Sequence, residues 1–286
     1  MTIRTLGVPC YGSMDLEALL TPAVNLARPL GAHIELTYVL PDALAELAMF
    51  PSSAIAAGLL PIDRMVEEVK QEAQRQHQRF EAWCRDNDLG HEPVAHRLDS
   101  VFARWTEEEG PLETIVMRHG RLADLTLVRL PEPGDVLSSR CFDAAVVATG
   151  RPVVVVPRTC PSDFLRHVVI AWDGSLEAAH AVAMSLPVLR AAARVSIFTA
   201  RHPHDTGSPE RELAASLHWH GIAATVVERP VDGHPVGEVM LDLIREREAS
   251  MLVMGAFTHS RIRETLIGGV TRHVLRHSPV PVLMAH

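Results

Sequence analysis

The chain has 286 residues, 47% of them apolar and 5% aromatic, which suits two α/β units with aliphatic cores. Asp and Glu outnumber Lys and Arg by 35 to 27, so no chain-wide positive field exists to hold a polyphosphate backbone, and nucleic acid is not an expected partner. The first residues lack a basic segment followed by a long apolar one, and no apolar run approaches the ~18 residues that span a bilayer, so the expectation is a soluble cytoplasmic protein with no membrane partner.

In chain order, an apolar run after Arg4 predicts a strand that ends at Tyr11-Gly12-Ser13. A helix over Leu16–Leu30 and a second strand over His33–Val39 follow. Between Pro41 and Leu89 an additional Ala/Leu-rich helical stretch precedes a charged helix, whose apolar stripe is Met65, Val69, Ala73 and Phe80. Ala123–Val128 and Arg151–Val156 read as the closing strands of this half, and the two prolines of Pro157-Arg158-Thr159-Cys160-Pro161 mark its end.

The same order then recurs. Arg166 to Ala171 leads into Asp173-Gly174-Ser175, in register with Gly12-Ser13, and a helix over Leu176–Ala193 and a strand over Arg194–Thr199 follow. Ala249–Met254 and Ser278–Leu283 close the second half. Continuous apolar strands alternating with helices indicate parallel sheets covered on both faces. The fold class is therefore α/β, with two tandem Rossmann-like domains, residues 1–159 and 160–286, each a five-stranded parallel sheet with helices on both faces. The last strands, Val153–Val156 and Val280–Leu283, are expected to meet at a pseudo-two-fold contact. Cys10, Cys84, Cys141 and Cys160 have no metal-ligand spacing and are expected as reduced thiols.

In an open parallel sheet, ligands bind at the carboxyl ends of the strands where strand order reverses, which directs attention to the residues after the first and fourth strands. In the second half Gly255 allows a tight exit from the strand, and Gly268-Gly269 allows an anion to approach the backbone without an intervening Cβ. Val270-Thr271 then opens a helix whose unpaired N–H groups suit a phosphate, with the Thr271 hydroxyl as a further donor. Arg261, Arg263 and Arg272 add local positive charge. Asp173 has two compatible readings, a helix N-cap or an acceptor for an adenine amino group or a ribose hydroxyl.

These residues resemble the universal stress protein family, which carries a glycine, two residues, a second glycine, nine residues and then Gly-Ser or Gly-Thr between its fourth strand and last helix. Here the pattern runs Gly255, Ala256-Phe257, Thr258, nine residues from His259 to Ile267, then Gly268-Gly269. Thr258 replaces the second glycine and Gly269 the hydroxyl residue, while the spacing is kept. The resemblance implies an adenine nucleotide alpha hydrolase-like fold and binding of ATP or another adenine nucleotide, with or without Mg. Its base and ribose contacts fall on Ala171, Asp173, Met254 and Gly255, its loop on Thr258, and its phosphate contacts on Gly268, Gly269, Val270 and Thr271. It also implies pairing of the two halves and leaves a homodimer open. The first half departs from the pattern: Tyr11 stands where Asp173 stands, and the loop from Arg129 to Asp143 contains prolines and a single glycine, Gly134.

Two other readings share this fold, a scaffold that binds no nucleotide and an enzyme of slow nucleotide hydrolysis. The sequence has no GxxxxGK[ST], GxSxG or HExxH motif, so it names no catalytic residue. His202-Pro203-His204-Asp205 and His218-Trp219-His220 read as solvated segments, and His273, His277 and His286 as helix-end or surface residues.

Overall fold

The structure, a computed structural model, describes residues 2–41, 62–91, 101–201, 207–256 and 269–285. The first half runs β1 (Thr5–Tyr11), α1 (Glu17–Leu30), β2 (His33–Leu40), α2 (Ile62–Asp86), β3 (Ala103–Glu109), α3 (Leu112–Leu122), β4 (Leu125–Arg129), α4 (Val136–Ala148) and β5 (Val153–Val156). The second runs β6 (Val168–Ala171), α5 (Leu176–Ala191), β7 (Val195–Arg201), α6 (Pro209–Trp219), β8 (Ala224–Pro230), α7 (Val236–Glu246), β9 (Met251–Gly255), α8 (Gly269–His277) and β10 (Val282–Ala285). The additional stretch expected ahead of the charged helix lies, for 42–61, outside the described residues.

Each half contributes five parallel strands to a single sheet ordered β3-β2-β1-β4-β5-β10-β9-β6-β7-β8. β5 and β10 pair antiparallel, with Val282 opposite Val155 and Met284 opposite Val153, so the halves meet through their last strands. The final strand begins two residues later than its sequence suggests. Pro281 has no N–H for the ladder, and its carbonyl instead accepts from Leu252 N at 3.0 Å.

Helices α1, α2, α5 and α6 cover one face of the sheet and α3, α4, α7 and α8 the other, each over its own aliphatic core. Covered on both faces, β5 and β10 are buried throughout, whereas the edge strands β3 and β8 alternate between buried or half-buried and exposed residues. On α2, Ala73 and Phe80 are buried as the periodicity requires, but Met65 is 37% exposed and the stripe continues instead through Gln76 and Cys84. The Gln76 amide is buried with its Nε2 donating to Glu72 Oε1 at 2.8 Å, while its Oε1 has no hydrogen-bond partner among the described residues.

At the amino ends of the second set of strands, His167 is buried between Arg247 and Ser196. Its Nδ1 donates to the Arg247 carbonyl at 3.0 Å and its Nε2 pairs with the Ser196 hydroxyl at 2.9 Å. Burial holds the imidazole pKa below its ordinary 6.5. As pH falls through about 6.5 the unfolded chain takes up this proton first, so stability drops by up to about 1.4 kcal/mol per pH unit until the folded value is passed. Denaturant midpoints at pH 7.5 and 5.5 should therefore differ less in His167→Gln than in the parent, and equal differences would exclude His167 as a source of the loss.

Candidate functional site

The chain leaves β6 toward α5 on one face of the sheet, while β9 is followed by α8 on the other, and a crevice opens between them. The β6–α5 turn is tightly fixed. Asp173 Oδ1 accepts from Ser175 N at 2.9 Å, Gly174 takes φ +75°, and Ser175 Oγ accepts from Ala178 N at 3.2 Å. The N-cap of α5 is thus Ser175, and Asp173 acts one step earlier as an Asx turn whose side chain stays exposed at the crevice.

A pocket of about 450 Å³ fills the crevice. Of the residues singled out from sequence, Ala171, Asp173, Met254, Gly255, Val270 and Thr271 line it together. Gly269 opens α8 beside the wall, and no atom of the described residues lies within 4 Å of where its Cβ would stand. Thr258, Gly268, Arg261 and Arg263 lie outside the described residues, as do His202, His204, Asp205 and His286. Gly255 has a packing role that the sequence did not reveal. A Cβ there would stand 2.7 Å from Ala178 N and 2.8 Å from the Glu177 carbonyl carbon, so the glycine admits the first turn of α5 against the end of β9.

Sequence reasoning missed the wall opposite. The last pair between β6 and β7 is Ala171 with Phe198, but β7 runs on through Thr199, Ala200 and Arg201 while still pairing with β8. Its other edge therefore overhangs the pocket, and these residues join Pro209 of α6 and Met240 of α7 in lining it. The only sequence signal was a polar Thr and Arg bracketing the end of an apolar strand. At the far end, α8 carries no acidic residue in its first turn, and the positive dipole end of a helix favours an anion. The pocket thus offers an apolar and main-chain surface at one end and an anion-favouring helix end at the other. Among the described residues no group of three or more His, Cys, Asp or Glu is placed to hold a metal ion.

The first half has closed the equivalent space. The strand registers place Tyr11 at the position of Asp173 and Arg129 at that of Gly255. After α4 and α8 the turns match, with Thr149 Oγ1 accepting from Arg151 N and Ser278 Oγ from Val280 N, so Phe142 stands where Thr271 stands. Tyr11 and Phe142 are both buried in the core on that face. Moreover, α4 continues to Val136, four residues beyond the position that matches Gly269, and its N-terminus is capped by Asp135, which accepts from Ser138 N at 3.1 Å. Two aromatic rings fill the crevice there, and a carboxylate satisfies the helix end.

The fold and crevice define a class: paired Rossmann-like α/β domains with one open and one filled switch-point site. Residues 165–286 match the universal stress protein family. The whole chain is similar to Universal stress protein Slr1230 of Synechocystis, 25% identical over 285 residues that cover 91% of this chain and 92% of that protein. Its fold is that of a universal stress protein from Archaeoglobus fulgidus, with a TM-score of 0.71 at 15% identity, covering 99% and 96% of the two chains. A universal stress protein structure from Pseudomonas aeruginosa also matches, with a TM-score of 0.54 at 15% identity over 99% of this chain and 93% of that one. None of the helices among the described residues is long and apolar enough to cross a membrane.

Proposed function

We propose that the protein is a cytoplasmic, regulatory stress protein that binds an adenine nucleotide, ATP foremost, in its second domain. Residues 160–286 form the binding unit, and residues 1–159 form a structural partner with a closed crevice. The observation that carries this reading is the convergence of Ala171, Asp173, Met254, Gly255, Val270 and Thr271 on one pocket whose ends differ in chemistry. A base seats against the β7 overhang and the apolar wall, Asp173 accepts from a base amine or ribose hydroxyl, and the phosphates lie toward the N–H groups of α8. A Mg ion would arrive with the phosphates, which supply much of its coordination.

Trp172 lines the pocket and reports on it. Titration with ATP is expected to change the protein's tryptophan fluorescence saturably, and Trp172→Phe should remove most of that change while heat of binding is still seen by calorimetry. Mass spectrometry of ligand released from freshly purified protein provides the companion measurement. No released adenine nucleotide together with no heat of ATP binding would leave the scaffold reading in its place.

A further inference from the structure

Arg201, the last residue of β7, lines the pocket and is 21% exposed at its side chain. Its guanidinium gathers three parts of the second domain. Nε donates to Glu228 Oε2 on β8 at 3.1 Å, Nη1 to the Gly207 carbonyl at 3.0 Å, and Nη2 to Glu210 Oε1 in the first turn of α6 at 3.0 Å. Glu210 is wholly buried, and its second oxygen has no hydrogen-bond partner among the described residues. A carboxylate removed from water in this way is tolerated when a cation is held against it, and a planar donor fork with several fixed acceptors is suited to that task. In the first half the register places Leu40 at this position, so the arrangement belongs to the half whose crevice is open.

We propose that Arg201 is the positioning residue for the base end of the pocket: its pairing with buried Glu210 holds the Gly207–Glu210 segment against the end of β7, and the resulting wall selects the nucleobase. Pro209, within that segment, presents the wall to the pocket, and Ala200 beside Arg201 supplies the strand edge. Arg201 acts here through the segment it pins, and the phosphate end at α8 is formed without it. This inference rests on the nucleotide reading of the same pocket.

Replacing Arg201 alone strands the Glu210 charge, so the decisive variant removes both, Arg201→Met with Glu210→Leu. Its thermal midpoint should lie close to the parent's. ATP and GTP are titrated into parent and variant by calorimetry. The expected result is a parent that prefers ATP, and a folded variant whose ATP affinity falls at least tenfold while its preference for ATP over GTP is largely lost. A variant that binds ATP as the parent does, or that weakens toward both nucleotides by one common factor, overturns the positioning role, as does a parent with no base preference. If the double variant does not fold, Arg201→Lys, which keeps a cation beside Glu210 without the fork, is read by the same ratio and the same criteria. A parent that binds neither nucleotide overturns the nucleotide reading itself, and this proposal with it.

Discussion

Asp173→Tyr combined with Thr271→Phe is expected to abolish ATP binding, weakening it at least a hundredfold, while the protein stays folded. Those are the side chains that the first domain carries at the matching positions, Tyr11 and Phe142, where both are buried in a well-packed core. The second domain has the same strand order and the same turn after its last helix, so its frame is suited to the same rings. In place of a pocket of about 450 Å³ the variant would have aromatic surface packed against Met240 and Met254. Each ring carries a large apolar area, worth roughly 1.5–3 kcal/mol when buried, which offsets the lost Asx turn at Asp173. A hundredfold loss corresponds to about 2.7 kcal/mol, less than the cost of expelling both rings to seat a base. Calorimetry with ATP and a thermal melt together provide the check. Parental affinity in a variant with an unchanged melting midpoint would mean that the nucleotide binds elsewhere.

Gly255→Ala is expected to have the largest effect on stability of any single methyl added near the pocket, lowering it by about 1–3 kcal/mol. The added carbon would meet main-chain atoms of α5 at 2.7 and 2.8 Å and the Glu177 Cβ at 2.9 Å, and backbone cannot rotate out of the way as a side chain can. Relief requires α5 to lift from β9, which moves Ser175 and Ala178 and so widens the pocket they line. ATP affinity should therefore fall along with the denaturant midpoint. Gly269→Ala is the matched control, because its Cβ enters open space among the described residues. Its stability should stay within about 0.5 kcal/mol of the parent's, as for a surface substitution away from packed features. Equal midpoints for the two variants would show that close approach of α5 is not what requires glycine at 255.

Repetition in the sequence was sufficient to read the architecture. Strand runs such as Val153–Val156 and Met251–Met254 are continuous apolar segments because both faces of the sheet are covered, and this composition is visible without coordinates. The edge strands were harder to read. Ala103–Glu109 and Ala224–Pro230 are rich in charged and polar residues, because a strand at the rim keeps part of its surface in water. The apolar stripe of α2 was read one step off at Met65, since local periodicity does not indicate where the sheet beneath a helix ends.

The chemistry divides along the same line. Local sequence determined the turn at Asp173-Gly174-Ser175, the glycine spacing from Gly255 to Gly268 and the helix that opens at Gly269, because these depend on residues adjacent in the chain. Tertiary structure alone decided that β7 overruns β6, bringing Thr199, Ala200 and Arg201 to the pocket, and that Glu210 lies buried beneath Arg201. It also decided why Gly255 must be glycine and why the first crevice is closed. These outcomes depend on the relative lengths of neighbouring strands and on which helix end approaches which strand end. Such distances are set by packing across the whole sheet and are encoded at no single position.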